Sequence, residues 1–246
     1  MHFVPVGSHH ERMVVPVAKL RADVALFVTK RRNDSYKHHL DKALAAVKKV
    51  GVRTEVLECD IWDAPTVVDL VGGVVVAAPR HQYLFNVSTG AKPACLAGSI
   101  ASMFFPVYPY YQPLEYEERL GRAEYEMPLK DEVQFLPTFK APPMGLQDVQ
   151  ALRLVARAPA PLRKKDLMAQ LKETGAIAPK ARARVTSQAY HAQTDVILAR
   201  LASWGFVRLV DRGKRLRISI TELGRGGERM FGHILHPRTP LEVLRT

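Results

Sequence analysis

Residues 83–92 read Tyr83-Leu84-Phe85-Asn86-Val87-Ser88-Thr89-Gly90-Ala91-Lys92. Five residues of strand character, Tyr83 to Val87, run into a small hydroxyl-bearing turn, and an Ala-rich helix candidate follows from Ala91 to Phe104. A strand, a short turn and a helix in that order form half of a βαβ unit, the element that builds parallel sheets.

The same alternation extends in both directions. Upstream, His2 to Val6, Asp23 to Thr29 and Val52 to Leu57 have strand character. Between them lie helix candidates at Arg12–Leu20, interrupted by Pro16, at Tyr36–Val50 and at Ala64–Ala78. In the second of these, Leu40, Leu44 and Val47 share one face while Lys37, Lys42 and Lys48 lie elsewhere, and Gly51 follows as a stop. Downstream, the aromatic run ending in Val107–Tyr111 supplies a fifth strand, read as part of the core. Regular β-α-β-α order predicts an α/β fold: a mostly parallel, Rossmann-like sheet with helices on both faces.

In such folds ligands bind outside the carboxyl ends of the strands. Three loops lie there: Gly7, Ser8, His9 and His10 after the first strand; Thr29, Arg31 and Arg32 at and after the second; Asn86, Ser88, Thr89, Gly90, Ala91 and Lys92 after the fourth. The last leads into a helix, whose first-turn N–H groups and positive dipole end favour an anion, and Lys92 adds a cation. Together the loops suit a phosphate-bearing ligand. Neither GxGxxG nor a Walker A sequence occurs, which disfavours an ordinary nicotinamide or ATP site. The hydroxyls and charges of Ser8, His9, Ser88 and Lys92 include no evident general acid–base pair, so binding rather than catalysis is expected. The nine histidines form no HxxxH or matched Cys/His set, and neither a metal nor a cofactor is expected.

Charge separates the chain into halves. Residues 1–145 hold 17 Lys and Arg against 16 Asp and Glu, and residues 146–246 hold 19 against 8. A local excess of that size attracts polyanions, nucleic acid first. Between the halves, Leu136-Pro137-Thr138-Phe139-Lys140-Ala141-Pro142-Pro143-Met144-Gly145 carries three prolines and reads as a linker. This divides the chain into a sensor domain at 1–136, a linker at 137–145 and a basic domain at 146–246. Short strands near 123–127 are possible.

The basic domain offers helix candidates at Leu146–Ala156, Leu162–Lys172 and from Thr186 or Ser187 to Ser203. The third is polar in its first half and apolar on one face in its second, and Gly205 ends it. After Phe206–Val210, a tip of Asp211-Arg212-Gly213-Lys214 precedes Arg215–Ile220, in which Leu216, Ile218 and Ile220 alternate with Arg215, Arg217 and Ser219. This is a half-buried hairpin with a basic tip, and Thr221 caps a last helix. Leu198, Leu201 and Trp204-Gly205-Phe206-Val207 resemble the end of a recognition helix turning into the wing of a winged helix-turn-helix. That resemblance implies double-stranded DNA as a partner. Arg184, Ser187, Gln188, Tyr190, His191 and Gln193 would read base edges or phosphate, while Arg212, Lys214 and Arg215 would grip the backbone or minor groove.

The Asn86-x-Ser88-x-Gly90-x-Lys92 turn, after a fourth strand and joined to such a domain, resembles the CRISPR-associated Rossmann-fold (CARF) regulators. Their turn commonly reads Asn or Asp, x, Thr or Ser, Gly, Gly, Thr, Lys or Arg. Here Thr89 replaces a Gly and Ala91 a Thr. The resemblance implies a homodimer with a symmetric pocket for a cyclic oligoadenylate or similar phosphate-bearing nucleotide, and a DNA-binding regulator linked to CRISPR defence. The alternatives are a ring nuclease that cleaves its ligand, and a constitutive DNA-binding dimer.

The longest apolar stretch, Val67–Ala78, is too short to span a bilayer, and the first residues lack a signal peptide pattern, so a cytoplasmic protein with no membrane partner is expected. Cys59 and Cys95 make no disulfide framework and are expected as buried, small apolar groups.

Overall fold

The expected strands pair in parallel in the computed structural model, which describes residues 1–30, 34–115, 128–141, 144–178, 187–211 and 213–235. The chain divides at Pro142–Pro143 into two compact units. In the first, the order along the chain is β1 (His2–Pro5), α1 (His10–Lys19), β2 (Val24–Thr29), α2 (Asp34–Lys49), β3 (Arg53–Glu58), α3 (Ala64–Ala77), β4 (Tyr83–Asn86), α4 (Lys92–Phe104), β5 (Val107–Tyr111) and β6 (Gln134–Phe135). The sheet order is β3-β2-β1-β4-β5-β6, parallel except for β6.

Alternation along the strands gives each face its own helices. Val4, Val6, Ala25 and Phe27 pack with Met13 and Val17 of α1 and Ala43 and Val47 of α2 in one buried cluster. Phe3 points to the opposite face, where its ring stacks between those of Tyr83 and Phe85. There α4 sits so close that a Cβ on Gly98 would collide with the Phe85 ring. Strands covered on both faces read as continuous apolar runs, as VALFVT of β2 does. Pro16 is accommodated near the end of α1, and Gly72 and Gly73 lie buried inside α3.

The second unit holds α5 (Leu146–Arg157), β7 (Leu162–Arg163), α6 (Lys164–Glu173), α7 (Ser187–Ser203), β8 (Val207–Val210), a 3-10 turn (Gly213–Arg215), β9 (Arg217–Ile220), α8 (Glu222–Met230) and α9 (Gly232–Leu235). Its three strands form an antiparallel sheet, β7-β9-β8. Val149, Leu152 and Val155 of α5, Leu167 and Leu171 of α6, and Ile197, Leu198 and Leu201 of α7 make the core with Phe206 and Ile218. The buried carboxylate of Asp148 holds Arg200 of α7 at 2.7 Å and accepts from Gly145 N at 3.0 Å. The Thr221 hydroxyl caps α8 by accepting from Gly224 N at 2.9 Å.

Several expectations need correction. Leu162 and Arg163 are strand, and the helix begins at Lys164, because Leu162 pairs with Ile218. The two-residue strand β6 has no counterpart in the sequence reading. Residues 137–141, read as linker, are fastened to the first unit: Ala141 N donates to Met103 O at 2.9 Å, and Lys140 Nζ donates to Ser102 O at 2.8 Å and Phe105 O at 3.0 Å. Of the aromatic run, Tyr110 is fully buried but Tyr108 is 46% exposed. Cys59 and Cys95 form no disulfide and are half-buried rather than buried. The stretch around 123–127 lies outside the described residues. Among those described, no helix is long and apolar enough to cross a membrane.

His2 lies in this core beside Tyr110, its Nδ1 3.3 Å from the phenol oxygen. Burial, helped by the N-terminal ammonium, lowers its pKa to about 3 from an ordinary 6.5. The folded state therefore rejects a proton that the unfolded chain accepts. Its contribution to stability is complete above about pH 6.5 and is lost as pH falls towards 3, by at most about 1.4 kcal/mol per pH unit. Urea unfolding of wild type and His2→Phe across that window should show a shallower acid loss in the variant. Identical pH profiles would contradict this account.

Candidate functional site

Sheet order brings the expected loops together. With β2, β1 and β4 adjacent and parallel, the loops after all three lie at one carboxyl edge, and the chain reverses its direction across the sheet between β1 and β4. This is the switch point at which such sheets take ligands. The β1 and β4 loops are in contact. A Cβ on Gly7 would collide with Thr89 Oγ1 and lie 2.5 Å from Gly90 N, and one on Gly90 would collide with Pro5. Gly90 also has φ +95°, a conformation that L side chains rarely adopt.

One side chain organises the turn. Asn86 is fully buried; its Nδ2 donates to Arg12 O at 2.7 Å and its Oδ1 accepts from Ser88 N at 2.9 Å. Ser88 Oγ then accepts from Gln112 N at 2.6 Å. The buried Arg12 returns to the same strand end, donating from Nε to Gln112 O at 3.1 Å and from Nη2 to Tyr111 Oη at 2.8 Å. The turn is thus held by α1 on one side and the end of β5 on the other. Arg12 and Gln112 were not among the residues singled out in the sequence, because an Arg inside an amphipathic helix ordinarily reads as surface.

The expected ligand residues separate into frame and rim. Asn86, His9, Thr89 and Thr29 are buried. His9 is the N-cap of α1, and Thr89 Oγ1 finds no hydrogen-bond partner among the described residues. Gly7 is buried, whereas Ser8 and Lys92 are exposed and His10, Ser88, Gly90 and Ala91 are intermediate. Arg31 and Arg32 lie outside the described residues; the preceding Lys30 meets Asp60 at 3.5 Å. Ala91 is the N-cap of α4 and cannot cap it with a side chain, and Pro93 follows in the first turn. The helix start therefore leaves backbone N–H groups without a side-chain acceptor, beside the Lys92 cation. Burial, and next the charge of Lys42, push the His10 imidazole below its ordinary value. Burial raises the Cys95 thiol to about 11, and Sγ donates to Thr89 O at 3.3 Å, both of which favour the protonated thiol.

Residues 1–116 match the family described as HFX_2341_N:-like, N-terminal. No curated protein matches the chain. Among solved structures, it is similar to Can2 from Sulfobacillus thermosulfidooxidans in complex with cyclic tetra-adenylate, at 14% identity and a TM-score of 0.39, covering 95% of this chain and 64% of that one. It is similar to Enterococcus italicus Csm6 bound to cyclic hexa-2′-fluoro-hexa-dAMP, at 10% identity and a TM-score of 0.40, covering 82% and 55%. A third is protein VC1899 from Vibrio cholerae, at 12% and 0.40, covering 96% and 66%. The chain thus spans less than two thirds of the length of each of these proteins.

In the second unit, α7 presents Ser187 and Gln188 exposed at its start. Gln193 is turned inward, its Nε2 donating to Ala178 O at 3.1 Å. Tyr190 lies under Lys172, whose Nζ is 5.0 Å from the ring centroid. His191 is intermediate and lines a cleft with Arg163, Lys164, Lys165 and Gly213. Arg215 is exposed. Arg184, Arg212 and the side chain of Lys214 lie outside what the structure describes.

Asn86→Ala removes both amide bonds and leaves the Arg12 carbonyl facing an apolar group. It should lower stability by about 1–3 kcal/mol, read as a reduced urea midpoint at unchanged slope. An unaltered midpoint would show that the turn does not depend on this amide.

Proposed function

We propose that the chain is a ligand-responsive, DNA-binding transcriptional regulator. Its first unit is a CARF-like sensor that dimerises around a cyclic oligoadenylate, and its second is a winged helix-turn-helix. The observation that carries this reading is the packed pair of loops at the switch point, where a rigid turn, an uncapped helix start and Lys92 face outward together. Two such edges related by a twofold axis would surround a ring of phosphates with a matching ring of cations and N–H donors. The helix order, the hairpin and the basic excess of the second unit support the DNA-binding part.

Helix α4 begins at the turn and ends where Lys140 and Ala141 bind its last carbonyls, directly before the second unit. We propose binding rather than catalysis at this edge, where Ser8 and Lys92 are exposed.

Calorimetric titration with cyclic tetra- and hexa-adenylate, beside a linear oligoadenylate, tests the sensor. One ring should bind per two chains, Lys92→Ala should abolish binding, and the recovered ligand should remain cyclic. Linear product would make the protein a ring nuclease. Absence of binding to either ring would remove the sensor reading.

A further inference from the structure

The start of α6 breaks two electrostatic rules at once. Arg163 is its N-cap, without a side-chain cap bond, and Lys164 and Lys165 are its first residues, so three cations crowd the positive end of the helix dipole. Arg163 is also the register partner of Arg217 across β7 and β9, a like-charge pair where opposite charges would favour the sheet. Compensation is partial. Asp166 binds Arg163 at 2.7 Å and Asp195 binds Lys164 at 2.5 Å, but Lys165 is exposed and has no ion pair among the described residues. Such local conflict between sequence and fold marks a functional surface.

These cations stand around a cleft of about 540 Å³ lined by Arg163, Lys164, Lys165, His191 and Gly213. It joins the start of α6 to the polar half of α7 and to the turn between β8 and β9. Gln188 is exposed three residues before His191, on the same face of α7. Exposed Arg215 and Arg217 continue the positive charge beyond the cleft. A row of cations beside a polar helix face suits a repeating anion whose next chemical feature is a base edge, rather than a single phosphate.

We propose that this cleft seats the sugar–phosphate backbone of duplex DNA, with Arg163 and Lys165 as its phosphate contacts and His191 at its floor. The proposal rests on the DNA-binding reading and adds Arg163 and Lys165 to the residues that the sequence offers for DNA contact.

The test uses the full chain and a labelled duplex of about 24 base pairs and arbitrary sequence, followed by anisotropy over a range of salt. Arg163→Gln with Lys165→Gln should weaken binding at least tenfold at low salt. It should reduce the slope of log affinity against log salt by about 1.8, or about 0.9 per lost contact. Lys48→Gln with Lys49→Gln, an equal charge change on exposed positions of α2, should leave the slope unaltered. Lys165→Gln alone breaks no ion pair. It should keep or raise the melting temperature while lowering the slope by about 0.9. Duplex binding by wild type with an unaltered slope in the cleft variants would overturn the cleft and leave the DNA-binding reading intact. Equal losses in the α2 control would also overturn it, by assigning the effect to net charge. Failure of wild type to bind duplex, or stronger binding of single-stranded RNA, would overturn both.

Discussion

The amide of Asn86 is the constraint around which the first unit is arranged. It is fully buried and spends both ends on backbone, one on α1 and one on its own turn. A buried amide costs stability unless it is satisfied, so its two partners fix where α1 and the turn after β4 must lie. Ser88 and Arg12 then tie the end of β5 into the same array. At that edge Ser8 and Lys92 are exposed beside the buried array. A binding site needs its contact groups held by a supporting layer, and here backbone-directed polar side chains supply it.

Much of this was legible in the sequence, and the limits have physical causes. The five parallel strands follow from short apolar runs that alternate with longer helix candidates, of which α2 shows a clear helical period. Strands β6 and β7 have two residues each, too few to display alternation, and both exist only because a partner strand lies beside them. Composition placed Asn86, Ser88, Gly90 and Lys92 in one turn. It could not tell frame from rim, because the partners that bury Asn86 are distant in sequence, Arg12 being 74 positions away. Gln193 matches Gln188 in type, yet its amide donates to the backbone of Ala178. Lys164 and Lys165 were visible only as charges on a helix; what distinguishes them is a cleft and a cross-strand neighbour that the sequence does not print.

Two residues of the turn acquire a meaning in three dimensions. Thr89 is buried with its hydroxyl against Gly7 and fills the contact between the two loops. Ala91 is the N-cap of α4 and offers no hydroxyl that would occupy the donors an anion could use. The two units also contrast in charge: the first is nearly neutral and organised by buried polar bonds, while the second carries the basic excess and tolerates like-charge contacts at the start of α6.

The central claim is that one chain couples an anionic ring at the β1–β4 edge to a DNA duplex on its basic unit. Linkage makes that coupling reciprocal. The most direct measurement is the affinity of the cyclic oligoadenylate with and without saturating cognate duplex, set beside the affinity of the duplex with and without saturating ring. The account predicts that both affinities change, in the same direction and by the same factor. Two affinities each indifferent to the other partner would contradict it.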